Sequence, residues 1–158
     1  MKEHLYQAKI IWIGNQGNGT SGYKAYSRDH EIKINSKSVI QASSDPSFSG
    51  NPDLHNPEEL FMASLASCHM LWFLHLCSAE NVIVTEYEDD VSGIMEEEKD
   101  GSGRFREVTL QPRVIVREER MVEKVDSIHS KANRMCFIAN SCNFPVKHTP
   151  ITTWESTN

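Results

Sequence analysis

An α+β fold, a mostly antiparallel sheet wrapped around a long buried central helix, follows from three stretches of this 158-residue chain. Residues 57–79 are apolar on every face, which predicts a helix surrounded by protein. Residues 82–116 hold two extended runs on either side of the turn Lys99-Asp100-Gly101-Ser102-Gly103. Residues 118–135 carry one narrow apolar seam. Runs of strands set apart from two helices make the α+β pattern.

The elements follow in order. Residues 4–14 read as a first strand, and 15–22, with Gly17, Gly19, Gly22, Asn15 and Asn18, as a turn or loop. Short strands are predicted over 23–27 and 31–34, with a hairpin continuing through 36–39. Residues 43–56 form a polar connector containing Pro46, Gly50 and Pro52. The first helix then opens with Asn56 as cap, Pro57 at the first position, and Glu58 and Glu59 at the positive end of the dipole. Asn56 with Glu59 three residues on resembles a capping box. One strand is expected across 82–95. The return strand has Val108, Leu110, Val114 and Val116 on one side, and Pro112 within it suggests an edge or a bulge. In the second helix Met121, Val125, Ile128, Ala132 and Met135 repeat at spacings of 4, 3, 4 and 3, and Cys136 follows at once. Residues 137–143 add a helical turn before Pro145, and 148–154 close the chain as a strand. One domain covers residues 1–158. A single sheet covers an all-apolar helix poorly, so an intertwined homodimer with two 57–79 helices at its centre is expected.

Composition narrows the function classes. Hydrophobic content of 39% and charge of 24% are those of a soluble globular protein. A net charge of −6 without a basic stripe argues against a nucleic-acid partner. Residues 60–77 are long enough to raise a membrane span, but Ser64, Ser67, His69 and His75 interrupt them and the flanks are acidic, so no membrane partner is expected. Met1-Lys2-Glu3-His4 offers no apolar signal core, which makes the cytoplasm the expected compartment.

Cysteines at 68, 77, 136 and 142 are the candidate chemistry. In the cytosol, paired cysteines point to redox or metal chemistry more often than to structural disulfides. Cys68, mid-helix, reads either as a core cysteine, the commonest fate of the residue, or as one half of a redox pair with Cys136. No C-x-x-C joins the two. Zinc is the other reading, since His69, His75 and Cys77 lie near. On a helix, however, Cys77 points away from Cys68, His69 turns about 100° from it, and only His75 shares its face, which makes a poor cage. Cys77 and Cys142 read as packing residues.

The run N-P-E-E-L-F-M-A-S-L-A-S-C at 56–68 resembles the signature of the OsmC/Ohr family, the osmotically inducible and organic hydroperoxide resistance proteins. There N-P-E-x-L precedes a helix rich in small residues with a cysteine ten residues after the first glutamate. A second cysteine ends a later helix, as Cys136 does in A-N-R-M-C-F-I-A-N-S, although many members have Cys-Pro where this chain has Phe137. The resemblance runs from the first strand to the last and suggests a less-studied OsmC-like branch. It implies an OsmC-like fold and a peroxiredoxin-like thiol peroxidase acting on organic hydroperoxides in oxidative stress, without metal or organic cofactor. It further implies Cys68 as the peroxidatic thiol, Cys136 as the resolving thiol that forms the disulfide, and Glu58 as the assisting acid. Arg28, the sole arginine before the helix, is the implied cation. The reductant would be a dithiol, lipoyl-type in related enzymes. Such a cation suits the chemistry, because a thiol with pKa near ~8.5 is mostly protonated at neutral pH and arginine stays charged when buried. Glu58 and Cys68 lie ten residues apart, a rise of about 15 Å, so a glutamate side chain cannot reach along one helix. If the implied role holds, either the other subunit supplies Glu58, which is the favoured reading, or Arg28 bridges the gap within one chain. The competing reading is a protein of the same fold that binds a small apolar molecule without peroxidase activity. A hot-dog-type thioesterase ranks last, because no acid or base is placed for it.

Overall fold

The computed structural model describes residues 2–156. The chain forms two compact units, residues 1–61 and 62–158, with one helix, α1 (Pro57–Ala79), running through the boundary.

The first unit is a three-stranded antiparallel sheet, β1 (Lys9–Trp12), β2 (His30–Lys33) and β3 (Ile40–Ala42), in that order. Trp12 pairs with His30, and His30 in turn with Ala42. The first strand is shorter than residues 4–14. Residues 23–27 form no strand either, but a loop that the long 13–29 connection folds on itself. Trp12 Nε1 donates to the Ser27 carbonyl at 2.8 Å, and Asn15 Oδ1 accepts from the amides of Gly17 and Gly19. Gly14 is required here, since a Cβ would sit 2.0 Å from the Ser27 carbonyl oxygen. The connector after β3 is pinned by the Ser43 amide donating to the His55 carbonyl at 2.9 Å. It delivers the capping box: the Glu59 amide donates to Asn56 Oδ1 at 2.8 Å, and the Asn56 amide to Glu59 Oε2 at 3.2 Å.

In the second unit α1 buries Leu65, His69, Phe73, Leu76 and Cys77, a stripe at spacings of 4, 4, 3 and 1. The rest of the helix is partly buried to exposed among the described residues, and Leu71 is 63% exposed. By length and composition α1 is the one described helix able to cross a membrane. Yet Phe73, Leu76 and Cys77 pack into a protein core with residues of two further elements, β7 (Pro112–Val116) and α2 (Val122–Met135).

The extended runs differ from expectation in an instructive way. Each arm is broken in two. The first arm gives β4 (Val84–Asp89) and β5 (Ser92–Glu97), the second β6 (Gly103–Leu110) and β7. β4 pairs with β7 and β5 with β6, in separate sheets. Pro112 is the cause: it lacks an N–H, so the strand restarts there. It opens a middle strand and is not at an edge, since β7 lies between β4 and β9 (Ile151–Trp154). The corner is tied by the Gln111 amide donating to Asp89 Oδ1 at 2.7 Å. The expected last strand is also two, β8 (Val146–His148) and β9, which run parallel to β6 and β7. Antiparallel pairing thus dominates, but two of the sheets are mixed.

In α2 the buried residues are Val125, Ile128, His129 and Ala132, preceded by Met121 in a 3₁₀ turn. Met135, placed in the seam by periodicity, is 40% exposed, and His129 is fully buried.

Candidate active site

Cys68 sits in the middle of α1 and is half-buried; Cys136 follows the last residue of α2 and is buried. Cys136 leaves the helix with an extended backbone, φ −68° and ψ 110°. That turn lets its sulfur accept from the Ala139 amide at 3.4 Å and puts its thiol in hydrogen-bonding contact with Cys68. The two residues are 68 positions apart in sequence, and both are free thiols. Burial first, and the Cys68 contact second, push the Cys136 thiol up to about 11, while the Ala139 amide opposes the rise. Cys136 is therefore protonated at neutral pH.

The surroundings are aromatic. Trp72, one turn beyond Cys68, meets Phe137, the residue after Cys136, edge-on at 5.7 Å. It meets His75 in the same way at 5.8 Å. Leu71, Trp72 and His75 line an open apolar hollow. Phe137 is 66% exposed, an unusual position for a large apolar ring.

The remaining two cysteines are placed differently. Cys77 lies among Phe73, Leu76 and Val82, and burial, with a smaller contribution from Glu80, pushes its thiol up to about 12. Cys142 donates to the Ile138 carbonyl at 3.3 Å.

Of the other sequence-predicted residues, Glu58 lies half-buried in the first turn of α1. Arg28 belongs to the loop of the first unit and makes its described contacts there. Its guanidinium donates to the carbonyls of Tyr26 and Tyr23, both at 2.7 Å, and lies 4.3 Å from the centroid of each tyrosine ring. This is a cation held between two π faces.

One feature was not foreseen from the sequence. His69 Nε2 and His129 Nδ1 share a hydrogen bond of 2.9 Å with both rings buried. Phe73 stacks on His129 at 3.9 Å, and His148 lies 5.7 Å and 6.2 Å from the two ring centroids. Burial lowers the pKa of His69 to about 4 and of His129 to about 3, with nearby imidazoles adding to the effect. Both rings are neutral at physiological pH. The signal was present in the spacing: 125, 129, 132 and 136 repeat at 4, 3 and 4, a second seam beside the one through Ile128. Among the described residues no group of three or more His, Cys, Asp or Glu side chains is arranged to hold a metal ion.

The profile of the family described as OsmC-like protein matches residues 50–150, nearly two thirds of the chain and both cysteine-bearing segments. The chain belongs to the OsmC-like family. Among solved structures, it is similar to an OsmC-like protein of unknown function from Vibrio cholerae, at 29% identity, TM-score 0.84, covering 94% of this chain and 100% of that one. The fold is shared with an organic hydroperoxide resistance protein from Elizabethkingia anophelis, at 16% identity, TM-score 0.69 and coverage of 98% and 100%. It is shared likewise with an organic hydroperoxide resistance protein from Legionella pneumophila, at 14% identity, TM-score 0.69 and coverage of 97% and 99%. No curated protein matches the chain. The OsmC-like α+β architecture is thus established for this chain, and some proteins that share the fold are described as organic hydroperoxide resistance proteins.

Proposed function

We propose that this OsmC-like protein is a thiol-dependent peroxidase that reduces organic hydroperoxides, with Cys68 as peroxidatic and Cys136 as resolving thiol. The observation that carries this reading is the contact between two free thiols from distant parts of the chain. The Cys68 thiolate attacks the distal oxygen of R–O–O–H, the O–O bond breaks, and Cys68 becomes a sulfenic acid as the alkoxide takes a proton and leaves as alcohol. The Cys136 sulfur then attacks the sulfenic sulfur, the S–S bond forms and water leaves. A dithiol of the lipoyl type returns both cysteines to thiols by exchange. The nearby second thiol protects Cys68 from over-oxidation.

Glu58 and Arg28 take the roles the family resemblance implies, assisting acid and charge partner of the thiolate. The working form is an intertwined cytoplasmic homodimer of one 1–158 domain, in which Glu58 comes from the other subunit. The exposed Leu71 on α1, 63% accessible, supports a partner copy.

The apolar hollow at Leu71, Trp72 and His75 favours a second reading, a binding protein for small apolar molecules. Steady-state assays with cumene hydroperoxide and hydrogen peroxide, each with dihydrolipoamide or thioredoxin, separate the two. The peroxidase reading expects turnover of the organic peroxide with the dithiol, lost in Cys68→Ser. Apolar binding without peroxide consumption would overturn it.

A further inference from the structure

We propose that the His69–His129 hydrogen bond is a clamp that sets the separation of the Cys68 and Cys136 sulfurs. The inference rests on reading those two thiols as the working pair, and it adds two positioning residues to that site. His69 is the next residue after Cys68 on α1. His129 lies on α2 seven residues before Cys136, which directly follows the helix, so two turns and about 10.5 Å of rise link the ring to the point where Cys136 leaves. One contact between the rings therefore fixes how far α2 slides along α1 and how it is rotated. Both variables decide where Cys136 meets Cys68.

The bond is well suited to hold register. Among the described residues, His69 Nδ1 and His129 Nε2 are buried without a hydrogen-bond partner, so each ring makes its one bond to the other. Sliding by one turn would leave two buried imidazoles unpaired. Phe73, stacked on His129, and His148 beside both rings keep the imidazoles in place. Two leucines would fill the same space, but they would tolerate sliding. A buried polar pair specifies one arrangement.

The test uses the equilibrium between the dithiol and its disulfide in glutathione buffers. Oxidised glutathione accepts two electrons as the 68–136 bond forms, and two reduced glutathiones are released. No peroxide is involved. Acid quenching and peptide mapping give the fraction bridged for the wild type, His129→Phe, His69→Phe, the double variant and His129→Asn, whose amide replaces the Nδ1 position. The clamp predicts that either phenylalanine variant lowers the equilibrium constant at least tenfold, equal to about 30 mV for two electrons. If one of them fails to fold, the other suffices. The double variant should fall no further than the singles, because both remove one bond. His129→Asn should restore a constant within threefold of the wild type, a rescue that space filling alone does not give. A wild-type constant in both phenylalanine variants would overturn the clamp, as would additive losses or an asparagine variant no better than phenylalanine. Peroxide consumption by the wild type is measured separately. Its absence alongside a normal clamp response would sink the peroxidase reading and leave the clamp standing.

Discussion

Cys68 and Cys77 lie nine residues apart on the same helix, and their surroundings differ in what each sulfur meets. Cys77 is fully buried among Phe73, Leu76 and Val82 and meets no other thiol among the described residues of that core. Cys68 is half-buried and meets Cys136. Burial raises the thiol pKa of Cys77 and of Cys136 alike, to about 12 and about 11. A buried, protonated cysteine is thus not inert by that fact; its neighbour decides. Cys136 faces a second sulfur and Cys77 faces carbon.

The largest expected effect tests that contrast by activity. Cys68→Ser should reduce kcat/KM for cumene hydroperoxide by about 10³-fold or more, since the nucleophile is gone. Cys77→Ala should leave it within about threefold of wild type. Comparable losses from both substitutions would erase the distinction. Cys136→Ser should keep the first turnover and lose the rest, leaving a sulfenic acid on Cys68 that dimedone traps. Stability should show the reverse order: Cys77→Ser puts a hydroxyl into an apolar core and should cost about 1–3 kcal/mol in urea unfolding. Cys68→Ser, half-buried, should cost less.

Acid sharpens the same comparison from the histidine side. His69 and His129 have folded pKa values near 4 and 3, below the 6.5 of an unperturbed imidazole. As pH falls, the unfolded chain binds protons first. Stability is therefore complete above about pH 6.5 and declines as pH drops toward 4 and then 3. His69 alone contributes on the order of 3 kcal/mol to that decline. His148 on β8 has its pKa lowered by burial, opposed by Asp126 on α2, and adds in the same direction. Urea midpoints measured from pH 7 to pH 4 should fall in the wild type and flatten in the His69→Phe/His129→Phe double variant. A flat wild-type profile would contradict the buried neutral pair.

A smaller signal concerns subunit contributions. Mixing Cys68→Ser with Glu58→Ala subunits should restore at most one working site per heterodimer if Glu58 acts in trans. No recovery after proven exchange would place Glu58 with its own Cys68.

Local features were legible in the sequence because their causes are local. The capping box needs only Asn56 and Glu59, and both of its bonds form. The seam of α2 was right through Met121, Val125, Ile128 and Ala132. What escaped depends on distant partners. Val82–Met95 alternation gives no hint that the arm breaks where Pro112 restarts the opposite strand. The parallel pairing of β8 and β9 is set by sheets already built. His129 is polar by type, and its burial depends on distant partners, the hydrogen bond to His69 and the stacked ring of Phe73. The thiol pair was named through family resemblance, because spacing alone could not join residues so far apart.

The central claim is that Cys68 and Cys136, and no other pair, form the working couple. Peptide mapping after one equivalent of cumene hydroperoxide tests it most directly. The account predicts a 68–136 disulfide, with Cys77 recovered as a free thiol. A stable sulfenic acid on Cys68, or a 136–142 link in its place, would contradict it.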